Sequence, residues 1–116
     1  MIPKKAIPLG IAAALACLAC QAKSAGPSLT IKPGVLTVGM AIEYPPMEYY
    51  APGSKTPMGF DVEMAKAIAA KMGLQAEFVD TAWDGIFAGV DTGKYDCVIS
   101  AVTITDARLA AHNFSK

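Results

Sequence analysis

The sequence is poor in the residues on which most hydrolytic and metal chemistry depends. One of its 116 residues is histidine, His112, in a polar segment with no nucleophile evident beside it, and three are cysteine. There is no G-x-S-x-G elbow, no cluster of ligating side chains at metal spacing, and no glycine-rich loop of dinucleotide or P-loop spacing. These absences argue against triad-type acyl transfer, metal-assisted hydrolysis and phosphate-loop nucleotide binding, and the sequence implies no cofactor. Glu43, Glu48 and Asp84 could serve as acid or base, but solvated or capping carboxylates are the commoner case. Charge is scarce as well. Asp, Glu, Lys and Arg make up 17% of the chain and sum to zero, which leaves neither a basic patch for nucleic acid nor a polybasic surface for a membrane.

A hydrophobic run of membrane-spanning length is also missing. The stretch AIPLGIAAALACLAC (residues 6–20) is short, alanine-rich and interrupted by Pro8 and Gly10. It follows MIPKK and precedes the small, polar QAKSAGPS, the layout of a cleavable secretory signal, so residues 1–22 are expected to direct export to the periplasm or the extracellular side. Cys17 and Cys20 sit where the apolar run turns polar. Either is an imperfect match to a lipoprotein signal and thus a candidate lipid anchor, with ordinary cleavage after Ala22 or shortly beyond as the competitor. Cys97 stands apart in an apolar strand and reads as a small core side chain.

The remaining chain alternates strand and helix. Residues 23–33 (KSAGPSLTIKP) read as a linker, with folding expected from about Gly34. VLTVGM (35–40) is apolar or β-branched at nearly every position, as in a strand buried on both faces. AIEYPPMEYYAPGSKTPMG (41–59) is too rich in proline and glycine for helix and predicts a long loop with a short hairpin around Ala51–Ser54. DVEMAKAIAAKMG predicts a helix with Asp61 as N-cap, an inner face of Ala65, Ile68, Ala69 and Met72, and Gly73 as its stop. LQAEFV (74–79) alternates as a strand, a second helix weakened by Gly85 and Gly89 covers about Asp84–Val90, and CVISAV (97–102) is a third strand. A third helix then opens, capped by Thr105 or Asp106. Strands separated by helices require a mainly parallel sheet with helices on its faces, and ligands of such sheets bind beyond the carboxyl ends of the strands.

The residues at those ends have the chemistry of a site. Glu43 and Tyr44 follow the first strand, Thr81, Trp83 and Asp84 the second, and Ser100, Thr103 and Arg108 the third. Two aromatic rings, hydroxyls and one arginine suit a small ligand carrying a carboxylate, which the guanidinium fork matches bidentately. Taken singly, each residue also has a structural explanation, such as a core tryptophan, a capping threonine or a surface ion pair.

Four ordered segments, LTVGMAIEYPPMEY, PMGFDVEMAKAIAAKMG, TAWDGIFAGVDTGKYD and ISAVTITDAR, followed by NFSK, resemble the bacterial extracellular solute-binding proteins of family 3, the polar amino acid receptors of ABC importers. The resemblance covers residues 34–116. It implies the first lobe of a periplasmic binding protein-like type II fold, with the second lobe absent and an ABC permease in the inner membrane as partner of the full-length protein. It further implies that Tyr44 and Trp83 flank the ligand side chain, that Ser100 and Thr103 contact the ligand, that Ala101 contributes backbone only, and that Arg108 grips the α-carboxylate. Ala41 departs from members that carry an acid there for a cationic side chain, although Glu43 is near. Asp61 and Asp96 match family positions but read as a helix cap and the start of a strand. Two other readings share these motifs: a cyclohexadienyl dehydratase-like enzyme on the same fold, and a truncated product without a stable fold.

Overall fold

The structure, a computed structural model, describes residues 28–116. The expected signal segment and both candidate lipidation cysteines, Cys17 and Cys20, lie outside the described residues. Strand β1 (Val35–Met40) is the centre of a three-stranded parallel sheet of order β4-β1-β5, with β4 at Gln75–Asp80 and β5 at Cys97–Val98. β1 pairs with β4 along its whole length, Val35 opposite Gln75 through Met40 opposite Asp80, and with β5 only at Val38 and Gly39. A minor hairpin joins β2 (Tyr49–Tyr50) to β3 (Pro57–Met58) around the turn expected at Ala51–Ser54. Helix α1 (Phe60–Lys71) precedes β4; a 3-10 turn (Trp83–Gly85) and α2 (Ile86–Asp91) precede β5; α3 (Asp106–Ala111) follows it.

The uniformly apolar sequence of β1 is explained by cover on both faces. Leu36, Val38 and Met40 pack on Val62, Ala65 and Ala69 of α1 to form the core. Successive strand side chains alternate, so Gly39 faces the other way, toward α2. There the Tyr95 ring fills the space between Gly39 and Gly89, and a β-carbon at either glycine would overlap it. Gly89 therefore costs α2 helix propensity but admits a tyrosine that is 1% exposed and donates its hydroxyl proton to the Ile86 carbonyl. Burial raises the phenol pKa, keeping that donor protonated.

Several expectations need correction. The residue at the N-cap of α1 is Gly59, whose φ of 126° and close approach to the Met47 carbonyl exclude a side chain, and Asp61 is not the cap. The first helical amides are instead held by loop carbonyls, Phe60 N by Pro46 O and Asp61 N by Met47 O, at 3.1 and 2.9 Å. The inner face of α1 is Val62, Ala65 and Ala69, whereas Ile68 and Met72 are 39% and 51% exposed beside an apolar groove that Ile99, Ile104 and Phe114 also line. β5 is two residues long rather than six, because after Val98 the chain turns into a different set of hydrogen bonds. Thr105, of the two candidate caps, is the one used: its hydroxyl accepts from Arg108 N.

Asp96 extends the join between β1 and β5 beyond the short ladder. Its carboxylate accepts from Thr37 N and from Ile31 N, each at 2.7 Å, so residue 31 of the expected linker is tied to the sheet. Replacing Asp96 with alanine leaves the amide of the buried Thr37 without an acceptor. A loss of about 2 kcal/mol is expected, a fall in Tm of roughly 10 °C, which thermal melting by circular dichroism would measure. Asp96→Asn keeps an acceptor and should lose less.

Candidate functional site

Beyond the carboxyl ends of β1 and β5 lies an open concavity of about 400 Å³, lined by Ala41, Glu43, Tyr44, Glu48, Trp83, Ser100 and Ala101. The position is the one that parallel sheets reserve for ligands. Tyr44 sits on the loop after β1, which carries a cis bond between Pro45 and Pro46 and is closed by paired backbone hydrogen bonds between Tyr44 and Glu48. Trp83 opens the 3-10 turn after β4 and is 38% exposed; Tyr44 is 61% exposed. Large rings so uncovered at the mouth of a concavity are available to a flat or aliphatic guest.

The turn after β5 supplies the floor. Ser100 is 4% exposed, and its hydroxyl accepts from Ala41 N at 3.0 Å while donating to Glu48 Oε1 at 2.6 Å. Its proton is therefore committed within the protein. Ala101 has a φ of 44°, left-handed and uncommon for a residue with a β-carbon, and its amide donates to Asp61 Oδ2 at 2.6 Å. Glu48 is 1% exposed; desolvation raises its pKa, the Ser100 hydrogen bond opposes that rise, and the neighbouring Asp61 carboxylate adds to it.

Of the six residues expected at the site, Tyr44, Trp83, Ser100 and Ala101 line one concavity. Thr103 and Arg108 stand next to it rather than in its wall. The Arg108 guanidinium lies 5.4 Å from the ring centroids of both Trp83 and Phe87, and its Nη1 donates to the Thr103 carbonyl at 2.7 Å. Its other N–H groups make no hydrogen bond among the described residues. Phe87 in turn stacks on His112 at 4.8 Å, and His112 Nδ1 lies 3.6 Å from Asp91. Neither Phe87 as a support for the arginine nor Glu48 as a buried part of the site is among the residues expected from the sequence. A carboxylate in a proline-rich loop carries no local mark of burial, while Phe87, one helical turn after Trp83, follows a spacing from which a shared aromatic face could have been read. Among the described residues no group of three ligating side chains is placed to hold a metal ion, and no helix is long and apolar enough to cross a membrane.

A parallel α/β lobe with an aromatic-rimmed concavity over its strand ends defines a small-molecule-binding fold. Residues 36–116 match the model of bacterial extracellular solute-binding proteins, family 3, and the chain belongs to that family. It is 39% identical over 82 residues to the L-cystine-binding protein TcyJ of Escherichia coli, an alignment covering 71% of this chain and 30% of that protein. Among solved structures it resembles the ancestral cationic amino acid solute binding protein AncCDT-1, with TM-score 0.64 and 42% identity over 66% of this chain and 33% of that one. It also resembles the arginine-bound form of domain 1 from TmArgBP, with TM-score 0.69 and 37% identity over 72% of this chain and 65% of that one. The chain thus spans about 30% of the length of its L-cystine-binding relative.

Proposed function

We propose that this chain is the ligand-binding lobe, or part of it, of an exported receptor that takes up a free α-amino acid and delivers it to an ABC permease in the inner membrane. The observation that carries this reading is the concavity itself: two uncovered aromatic rings and the Ser100–Ala101 turn meet beyond the strand ends, with an arginine against one of those rings. Arg108 takes the α-carboxylate with the N–H groups left over from Thr103, and the adjacent Thr103 hydroxyl adds a neutral donor. Tyr44 and Trp83 flank the side chain. Ser100 and Ala101 shape the floor more than they donate, since the Ser100 hydroxyl proton and the Ala101 amide are already engaged. Glu43 in the lining favours a ligand with cationic groups over an acidic one.

The related domain 1 from TmArgBP, described in an arginine-bound form, supports binding by a single lobe. The test is a thermal-melting panel on the 116-residue chain with L-arginine, L-cystine and L-histidine. At about a hundredfold above Kd a ligand adds about 2.7 kcal/mol, so one member should raise Tm by more than about 8 °C. A cooperative transition that none of the three shifts would contradict the proposal. Absence of a cooperative transition would favour the reading of a chain without a stable fold.

A further inference from the structure

Glu48 and Asp61 are both almost fully buried, at 1% and 2% exposure, and they arrive from different elements, the loop after β1 and the first turn of α1. Neither is paired with a cation among the described residues. The ion pairs among the described residues are Lys32 with Glu77, Lys66 with Glu63 and His112 with Asp91. Each carboxyl instead accepts one hydrogen bond from the same turn, Glu48 from the Ser100 hydroxyl and Asp61 from the Ala101 amide, both at 2.6 Å. Glu48 Oε2 is buried with no hydrogen-bond partner among the described residues, and the two residues are drawn together by bonds to the adjacent Ser100 and Ala101 and by the Asp61 amide, which donates to the carbonyl of Met47 beside Glu48. Two ionised carboxylates anchored to adjacent residues, desolvated and without a counter-ion among the described residues, repel each other. One proton between them removes a charge and gives the unpartnered oxygen a role.

We propose that Glu48 and Asp61 share one proton and act together as positioning residues, fixing the Ser100–Ala101 turn in the shape that receives the ligand. The proposal rests on the amino acid-binding reading for its ligand consequence only. The left-handed backbone at Ala101 carries strain for a residue with a β-carbon, and the charge-assisted bond from its amide to Asp61 offsets it. Ser100 is clamped from two sides, by Ala41 N and by Glu48. Ionising both carboxyls drives loop and helix apart at the floor of the concavity.

The titratable groups around Glu48 are Asp61 from α1 and, along the same wall, Glu43 and Tyr44 from its own loop; Ala41, Trp83, Ser100 and Ala101 complete the lining without charge. The sign follows from the direction of the Glu48 shift. Its folded pKa lies above the unfolded value, so the stabilisation is fully present below the unfolded glutamate pKa and is lost as pH rises through the raised folded value. Affinity for ligand declines over the same interval.

The test compares wild type, Glu48→Gln and Asp61→Asn by carboxyl ¹³C NMR titration, by thermal melting against pH, and by calorimetry with L-arginine and L-cystine. In wild type the Glu48 carboxyl carbon should titrate above the ordinary glutamate range, and Asp61→Asn should return it toward that range. Glutamine supplies with its amide N–H what the shared proton supplies. Glu48→Gln should therefore fold, and neither its melting nor its ligand affinity should decline through the interval in which wild type loses about fivefold in affinity. A Glu48 carboxyl titrating in the ordinary range, with melting of wild type and Glu48→Gln equally pH-dependent, would overturn the proposal. Should neither amino acid bind wild type, the receptor reading loses support for these ligands, while titration and melting still decide the carboxyl pair. Should Asp61→Asn fail to fold, Glu48→Gln decides it alone.

Discussion

Arg108→Ala is expected to weaken binding of the amino acid by about thirtyfold or more while leaving the unliganded chain folded. A ligand carboxylate held against Trp83 is partly shielded from water, and removing the partner of such a charge pair costs about 2–5 kcal/mol. The arginine itself contributes little to the fold. It is half-buried on α3, its guanidinium contacts are to two ring faces and one carbonyl, and losing them should cost about 1 kcal/mol. Arg108→Lys keeps the charge but not the planar fork, and should fall between the two by calorimetry. Unchanged affinity in Arg108→Ala would remove the guanidinium from the site.

The second large effect concerns stability rather than binding. Gly39→Val should destabilise the chain by roughly 3 kcal/mol, because a β-carbon at position 39 would lie 2.5 Å from atoms of the buried Tyr95 ring and force ring or central strand to shift. For a small domain that is a large share of total stability. The origin of the loss can be tested by coupling: Gly39→Val combined with Tyr95→Leu should be less destabilised than the sum of the single variants, since the smaller side chain vacates the overlap. Strict additivity in urea denaturation would place the cost elsewhere, in strand geometry.

The elements that the sequence announced most clearly are those whose signal is local. β1 was legible because it is apolar at nearly every position, and the structure buries it on both faces. α1 was legible from its periodicity, although Ala65 and Ala69 rather than Ile68 and Met72 face the sheet, a rotation that periodicity alone resolves poorly when neighbouring stripes are both apolar. β5 was overestimated for a different reason. CVISAV has strand composition throughout, but Ser100 and Ala101 are drawn out of the ladder by Glu48 and Asp61, residues 52 and 40 positions earlier. The same non-local bonds explain why Asp61 looked like a cap. An acidic residue at a helix start is ordinarily one, and only the approach of the Ala101 amide shows what this one holds. The convergence of Tyr44 and Trp83 with the turn after β5 could be anticipated because parallel sheets gather strand ends; the carboxyl pair beneath them could not.

Recognition of an α-carboxylate over the ends of the parallel strands is what the proposed receptor role requires. The decisive measurement is a calorimetric titration of the wild-type chain with whichever of L-arginine, L-cystine and L-histidine raises Tm most, set against the same amino acid with its α-carboxyl groups converted to methyl esters. The free acid should bind with an affinity that depends on Arg108, and the ester more weakly by about thirtyfold or more. Equal affinity for acid and ester would contradict the account.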